Sequence, residues 1–239
     1  MPTMLIVGAT SGIARATARL FAESGWRLQL AGRNQERLRD VAEELGVEAE
    51  LFPFDALDAD SRSRLWERLP ACPDAVLCAV GLLGDQAEAQ RDPAVALRVM
   101  ESNFTGLVPL LTQAASAFEV RGSGLIIGVG SVAGDRGRAS NYVYGAAKAG
   151  FAAYLSGLRA RLHGSGVRVL TVKPGYVATA MLSGRRVPAL LVASPGRVAR
   201  DIRRAVLRGH DVLYTPLWWR PLLAAYRILP ENLAKRLRV

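Results

Sequence analysis

Along this chain, short runs of branched apolar residues alternate with longer stretches in which apolar positions return every three or four residues. The short runs are Met4 to Val7, Arg27 to Ala31, Glu50 to Phe54, Ala75 to Val80, Gly124 to Val129, Val167 to Val172 and Val212 to Tyr214. They read as strands, and the stretches between them are mostly long enough for helices. The helical pattern is clearest from Ile13 to about Ser24 and again near the end of the chain. There Ser194-Pro195 offers an N-cap followed by a first-turn proline, the pattern runs to Arg208, and Gly209 supplies a stop. Strand, helix, strand in repetition predicts an α/β fold: a doubly wound sheet of about seven parallel strands with helices on both faces. Such sheets bind ligands beyond the carboxyl ends of their strands, so the chemistry is sought in the loops that follow them.

The first of those loops, Gly8-Ala9-Thr10-Ser11-Gly12-Ile13-Ala14, is made of small residues at a strand-to-helix junction. Glycine lets the backbone turn tightly and approach a ligand, and the free amides at a helix start complement a pyrophosphate. Gly8, Thr10, Ser11, Gly12 and Ile13 are therefore candidate dinucleotide contacts, although a tight turn without a ligand is the plainer alternative. The spacing is Gly-x-x-x-Gly-x-Ala, with Ala14 where a third glycine is common. The second strand ends in Ala31-Gly32-Arg33-Asn34 without the acid that often binds a ribose 2′-hydroxyl. Arg33 can grip a 2′-phosphate, which favours NADP(H) over NAD(H); as a solvated surface charge it would say nothing. Asp55, after the third strand, can accept a hydrogen bond from an adenine amino group or cap the next helix.

Tyr144-Gly145-Ala146-Ala147-Lys148 sets a phenol and an ammonium on one face of a helix. A cation about 5 Å from a phenol, at an effective dielectric of about 20, favours the phenolate by roughly 3 kcal/mol, about two pKa units. A lowered phenol pKa suits general acid/base work near pH 7. Ser131 follows the apolar strand that contains Leu125-Ile126-Ile127, where its hydroxyl can hydrogen-bond a substrate oxygen as charge develops on it; a turn role is the alternative. Asn103 falls in a helical pattern, where a buried amide must be paired; it can hold a water leading to Lys148 or serve structure alone.

Taken together, these residues resemble the short-chain dehydrogenase/reductase family over nearly the whole chain. The resemblance implies a Rossmann-like fold, a nicotinamide cofactor and a carbonyl or alcohol substrate. It implies Tyr144 as acid/base, Lys148 as pKa tuner and ribose ligand, Ser131 as substrate orienter and Asn103 as relay. Pro174-Gly175-Tyr176-Val177-Ala178-Thr179 resembles the family's post-strand turn, in which Val177 and Thr179 would meet the carboxamide. Cys78-Ala79-Val80-Gly81 stands where many members carry Asn-Asn-Ala-Gly, so Ala79 and Gly81 keep the cofactor-facing position while two side-chain hydrogen bonds are lost. The stretches Phe54 to Asp58, Gly81 to Asp85, Gly134 to Asn141 and Leu229-Pro230 are similar to one branch, the reductases that complete epimerisation of a polyprenylphosphoryl ribose through a keto sugar. That branch implies NADH, against the reading of Arg33.

Composition narrows the rest. At 239 residues, half of them hydrophobic, the chain suits one catalytic domain, here 1–216, with a basic and aromatic tail over 217–239 packed on it or at an interface. Cys72 and Cys78 read as core residues, and with only two histidines no metal-ligand set is expected. The net charge of +10 is concentrated after residue 197, but without a reading motif it does not imply nucleic acid. Leu217-Trp218-Trp219-Arg220 suits a peripheral membrane contact, or equally a tail packed over its own site. No export signal is visible at the start, so a cytoplasmic enzyme is expected, at the inner membrane face if the tail meets lipid. The expected partners are a small-molecule or lipid-linked carbonyl substrate and further copies of the chain in a dimer or tetramer; a dinucleotide sensor without turnover is the reading from another class.

Overall fold

The computed structural model describes residues 1–184 and 187–236. Its strands are β1 (Thr3–Val7), β2 (Arg27–Gly32), β3 (Ala49–Pro53), β4 (Ala75–Cys78), β5 (Gly124–Val129), β6 (Val167–Pro174), β7 (Tyr176–Val177), β8 (Val192–Ala193) and β9 (Val212–Thr215). The helices are α1 (Gly12–Ala22), α2 (Gln35–Leu45), α3 (Ala59–Glu67), α4 (Gln86–Ala89), α5 (Pro93–Asn103), α6 (Val108–Arg121), α7 (Tyr142–Arg161), α8 (Pro195–Arg208), α9 (Trp219–Ile228) and α10 (Glu231–Ala234). Seven strands form one parallel sheet in the order β3-β2-β1-β4-β5-β6-β9, and β7 and β8 pair separately beside it. The order reverses between β1 and β4, which places the switch point beside the Gly8 loop.

Period-two alternation divides the apolar residues between two cores. Met4 and Ile6 face α1, α2 and α8 through Ala14, Phe21, Leu38, Val198 and Ile202. Leu5 and Val7 face α3, α6 and α7 through Leu65, Leu110, Phe118, Phe151 and Leu155. Ala14 is fully buried in the first core, so its methyl points to the sheet rather than toward a ligand. Ser194 caps α8 by accepting from the Arg197 amide at 3.2 Å, and Gly209 ends that helix in the left-handed region.

One reading of the sequence changes. Cys78 is buried, but Cys72 is exposed: it sits in the connection between α3 and β4, where the chain turns outside the sheet. Most of the tail forms α9 and α10, and α9 is seated by Trp219 and Leu223, each 5% exposed and packed with Val132. Among the described residues no helix is long and apolar enough to cross a membrane.

Candidate active site

The carboxyl ends of the central strands open into one cleft of about 740 Å³, within the ~300–1,000 Å³ usual for ligand sites. Every site residue singled out from the sequence lines it except Asn103. At its floor, Gly8 has φ +79°, and a Cβ there would lie 2.9 Å from the Val80 amide nitrogen and 3.0 Å from the Ala79 carbonyl. Only glycine fits that position. A Cβ on Gly12 would come within 2.9 Å of the Thr179 methyl, so the loop and the turn after β6 enclose the start of α1 from both sides. Ser11 caps α1 by accepting from the Ala14 amide at 3.2 Å, leaving the first-turn amides of Gly12 and Ile13 without acceptors in the helix. A shaped backbone cradle with free amides fits a dinucleotide pyrophosphate.

At the adjacent end, Arg33 leaves β2 and Arg37 lies in the first turn of α2, both lining the cleft and both exposed. No ion pair among the described residues occupies either guanidinium. Sequence reading missed Arg37; its spacing from Arg33, across the Asn34 cap, was the available signal. Asp55 does not cap the helix that follows. Asp58 does, while the Asp55 carboxylate accepts from the Leu57 amide at 3.0 Å and keeps its place in the cleft wall.

Tyr144 and Lys148 begin a buried stripe on α7 that continues through Phe151, Leu155 and Leu158. The same periodicity that seats the helix on the sheet carries the phenol and the ammonium to the mouth of the second core. Lys148 is 2% exposed, and its Nζ donates to the carbonyls of Val129, at 3.1 Å, and Val80, at 3.2 Å. Two of its three protons are thereby used, and the carbonyl-rich ends of β4 and β5 hold it in place. Ser131 caps the turn that follows β5, its Oγ accepting from the Ala133 amide at 3.1 Å, and its hydroxyl lies close enough to Tyr144 to favour the phenolate.

The electrostatics depart from the sequence expectation. Burial pushes the Tyr144 phenol up to about 12, and the Ser131 hydroxyl offsets only part of that. Burial also lowers Lys148 to about 8, against a smaller opposing influence from Cys78. The ammonium lies 5.9 Å from the Tyr144 ring centroid. Desolvation therefore outweighs the cation, which is drawn toward two carbonyls.

Asn103 is held by backbone groups. It is fully buried; its Nδ2 donates to the carbonyls of Leu82 at 2.6 Å and Val99 at 2.8 Å, and its Oδ1 accepts from the Leu82 amide at 3.2 Å. These bonds pin the segment after β4 behind the cleft, so the amide is already committed to backbone. Its Oδ1 would still lie 3.3 Å from a Cβ on Gly81, in the cleft wall, which explains why the residue belongs to the site without facing it.

A parallel sheet whose switch point carries a phosphate cradle, with a hydroxyl, a phenol and an ammonium gathered over it, defines an oxidoreductase of the dinucleotide-fold class. The chain belongs to the short-chain dehydrogenase family, whose model matches residues 2–188. It is 38% identical over 241 residues to an uncharacterized oxidoreductase of Mycobacterium tuberculosis, covering 98% of this chain and 96% of that one. Among solved structures, a short-chain dehydrogenase from Sphingobium yanoikuyae in complex with NADPH superposes with a TM-score of 0.83 at 27% identity, covering 100% of this chain and 97% of that one. A serine dehydrogenase complexed with NADP+ matches with a TM-score of 0.78 at 26% identity, covering 89% and 93%.

Proposed function

We propose that this enzyme reduces a carbonyl compound with NADP(H), using Ser131, Tyr144 and Lys148. The observation that carries the reading is the convergence of the Gly8–Ile13 cradle and the Ser131–Tyr144–Lys148 group on one cleft. Preference for the phosphorylated cofactor is supported by Arg33 and Arg37 facing the cleft without carboxylate partners, and by the NADPH and NADP+ in the two structural relatives. When bound, the nicotinamide supplies the hydride.

The protein's part is to place a carbonyl and give its oxygen a proton. With its pKa held at about 12, the Tyr144 hydroxyl is fully protonated near neutral pH and can donate to the carbonyl oxygen as charge gathers there. The Ser131 hydroxyl, already in register with Tyr144, can donate a second hydrogen bond to the same oxygen. Lys148 has one proton left for a ribose hydroxyl, and its charge lowers the cost of phenolate once the proton has gone. Val177 and Thr179 close the cleft opposite Gly12.

For the substrate we infer a polyprenyl-phosphate-linked keto sugar over a small neutral ketone. Supporting this, the surface near the C-terminus exposes Leu217, Leu222 and Ile228 among arginines, a mixture suited to a lipid surface. Tyr144→Phe tests the assignment of the chemistry: it removes the proton but little volume, so NADPH oxidation should fall by about 10²–10⁴-fold while nucleotide affinity is retained. A wild-type rate in that variant would refute it.

A further inference from the structure

The cleft has a second cationic pole whose charge no group among the described residues answers. Arg138 lies in the loop of residues 134–141 between Ser131 and α7, and lines the same cleft as Ser131 and Tyr144. Its Nε is buried without an acceptor, and no hydrogen bond or ion pair engages the side chain among the described residues. A guanidinium stays charged at any pH the enzyme meets, so partial burial without a partner is unfavourable unless a ligand supplies the acceptor.

The other charges of this loop are fully used. The Asp135 carboxylate accepts from the Tyr214 hydroxyl at 2.8 Å and pairs with Lys173. Arg136 donates from Nη1 to the carbonyls of Tyr226, at 2.6 Å, and Leu229, at 2.7 Å, and from Nη2 to the Glu231 carboxylate at 2.8 Å. Asp135 thus fixes the loop to the sheet end and Arg136 fixes it to α9 and α10. Arg138 is left on a loop anchored at two adjacent residues, the geometry of a positioned binding group rather than of a solvated surface charge. Nearby on the same wall, Asn141 leaves its Oδ1 buried and unpaired. Across the whole lining the only carboxylate among the described residues is Asp55, which follows β3 beyond β2, whereas Arg138 follows β5.

We propose that Arg138 recognises an acidic group, a carboxylate, sulfonate or phosphate, on the carbonyl substrate, so that the enzyme selects oxo acids over neutral ketones. This rests on the carbonyl-reductase reading above and names its substrate class. The acid binds Arg138 through charge-assisted hydrogen bonds while the carbonyl meets Ser131 and Tyr144.

The test compares methyl ketones bearing a terminal carboxylate, with one to four intervening methylenes, against their methyl esters, and a keto-pentose phosphate against its polyprenyl ester and the uncharged keto-pentose. With NADPH, the wild type should favour at least one acid over its neutral counterpart by about tenfold or more in kcat/KM. Arg138→Gln should bring that ratio to within about threefold, chiefly through KM. Arg98→Gln, which removes an equal charge from the exposed surface of α5, should leave the ratio unchanged. Which acid carries the preference separates a soluble substrate from a lipid-linked one.

Calorimetric titration of the same pairs reads the preference without turnover. Acid binding that Arg138→Gln removes, with no reduction of any carbonyl, would overturn the reductase reading and keep the acid subsite. Reduction with no acid preference, or with a preference that Arg138→Gln leaves intact, would overturn the subsite alone.

Discussion

The turn after β6 and the first residue of α9 meet so closely that a single methyl group should separate them. A Cβ built on Gly175 lies 1.8 Å from Nε1 of Trp219, 2.2 Å from its Cε2 and 2.7 Å from its Cδ1. Ordinary contact is about 3.5–4.0 Å, so Gly175→Ala requires the indole to retreat by roughly 1.5–2 Å. It has little space for this: the ring is 5% exposed, stacks on Trp218 at 4.2 Å and meets the Tyr176 ring edge-on at 5.9 Å. Nε1 has no hydrogen-bond partner to lose, so the penalty is steric. Shifting the ring within its seat costs about 1–3 kcal/mol, and expelling it costs about 3–5 kcal/mol. We expect Gly175→Ala to lower stability by about 3 kcal/mol, a large share of the ~5–15 kcal/mol that holds such a domain together. Urea unfolding should show a lower midpoint with an unchanged slope, accompanied by a red shift in tryptophan emission. Trp219→Leu should relieve the clash, making the double variant less damaged than the two single losses predict by about 1 kcal/mol or more. A Gly175→Ala protein within about 0.5 kcal/mol of wild type, or a strictly additive double variant, would refute the packing argument.

Two further outcomes follow from charge. Replacing Arg33 and Arg37 together by alanine should raise the NADPH dissociation constant by about tenfold or more while moving that for NADH by less than about threefold; equal losses by equilibrium fluorescence titration would show that neither guanidinium reads a 2′-phosphate. Lys148 has a folded pKa of about 8, below the ~10.4 of an unfolded lysine, so its charged form is penalised in the fold. The penalty is complete below pH 8 and fades as pH climbs toward 10.4, so the unfolding free energy of the wild type should gain up to about 2–3 kcal/mol relative to Lys148→Met across that window. Chemical denaturation at pH 7.5, 8.5 and 9.5 measures the difference, and a constant offset would refute the burial argument.

The sheet was legible because its evidence is local: each strand is a run of branched apolar residues, and alternation along it sends Met4 and Ile6 to one core, Leu5 and Val7 to the other. Strand ends were less legible. The Ala75–Val80 run is apolar throughout, yet β4 stops at Cys78, and Ala79 and Val80 become cleft wall. Nothing in the alphabet of apolar residues marks that departure. The cradle was readable because a tight backbone approach can be met only by glycine, as at Gly8. Arg138 was not readable as part of the cleft. In a chain with 31 basic residues, an unpaired guanidinium in a cleft looks like every other arginine until its neighbours are known.

The phenol shows where reasoning from spacing reaches its limit. Four residues of helix do bring Tyr144 and Lys148 onto one face, but the same face is the one α7 buries, with Phe151 and Leu155 further along it. A stripe that packs removes water from every group on it, and spacing alone carries no information about that cost. The ammonium then finds better acceptors in the carbonyls of Val80 and Val129 than in a phenol. Burial thus keeps the phenol protonated in the free enzyme, the form that can hand a proton to a carbonyl oxygen.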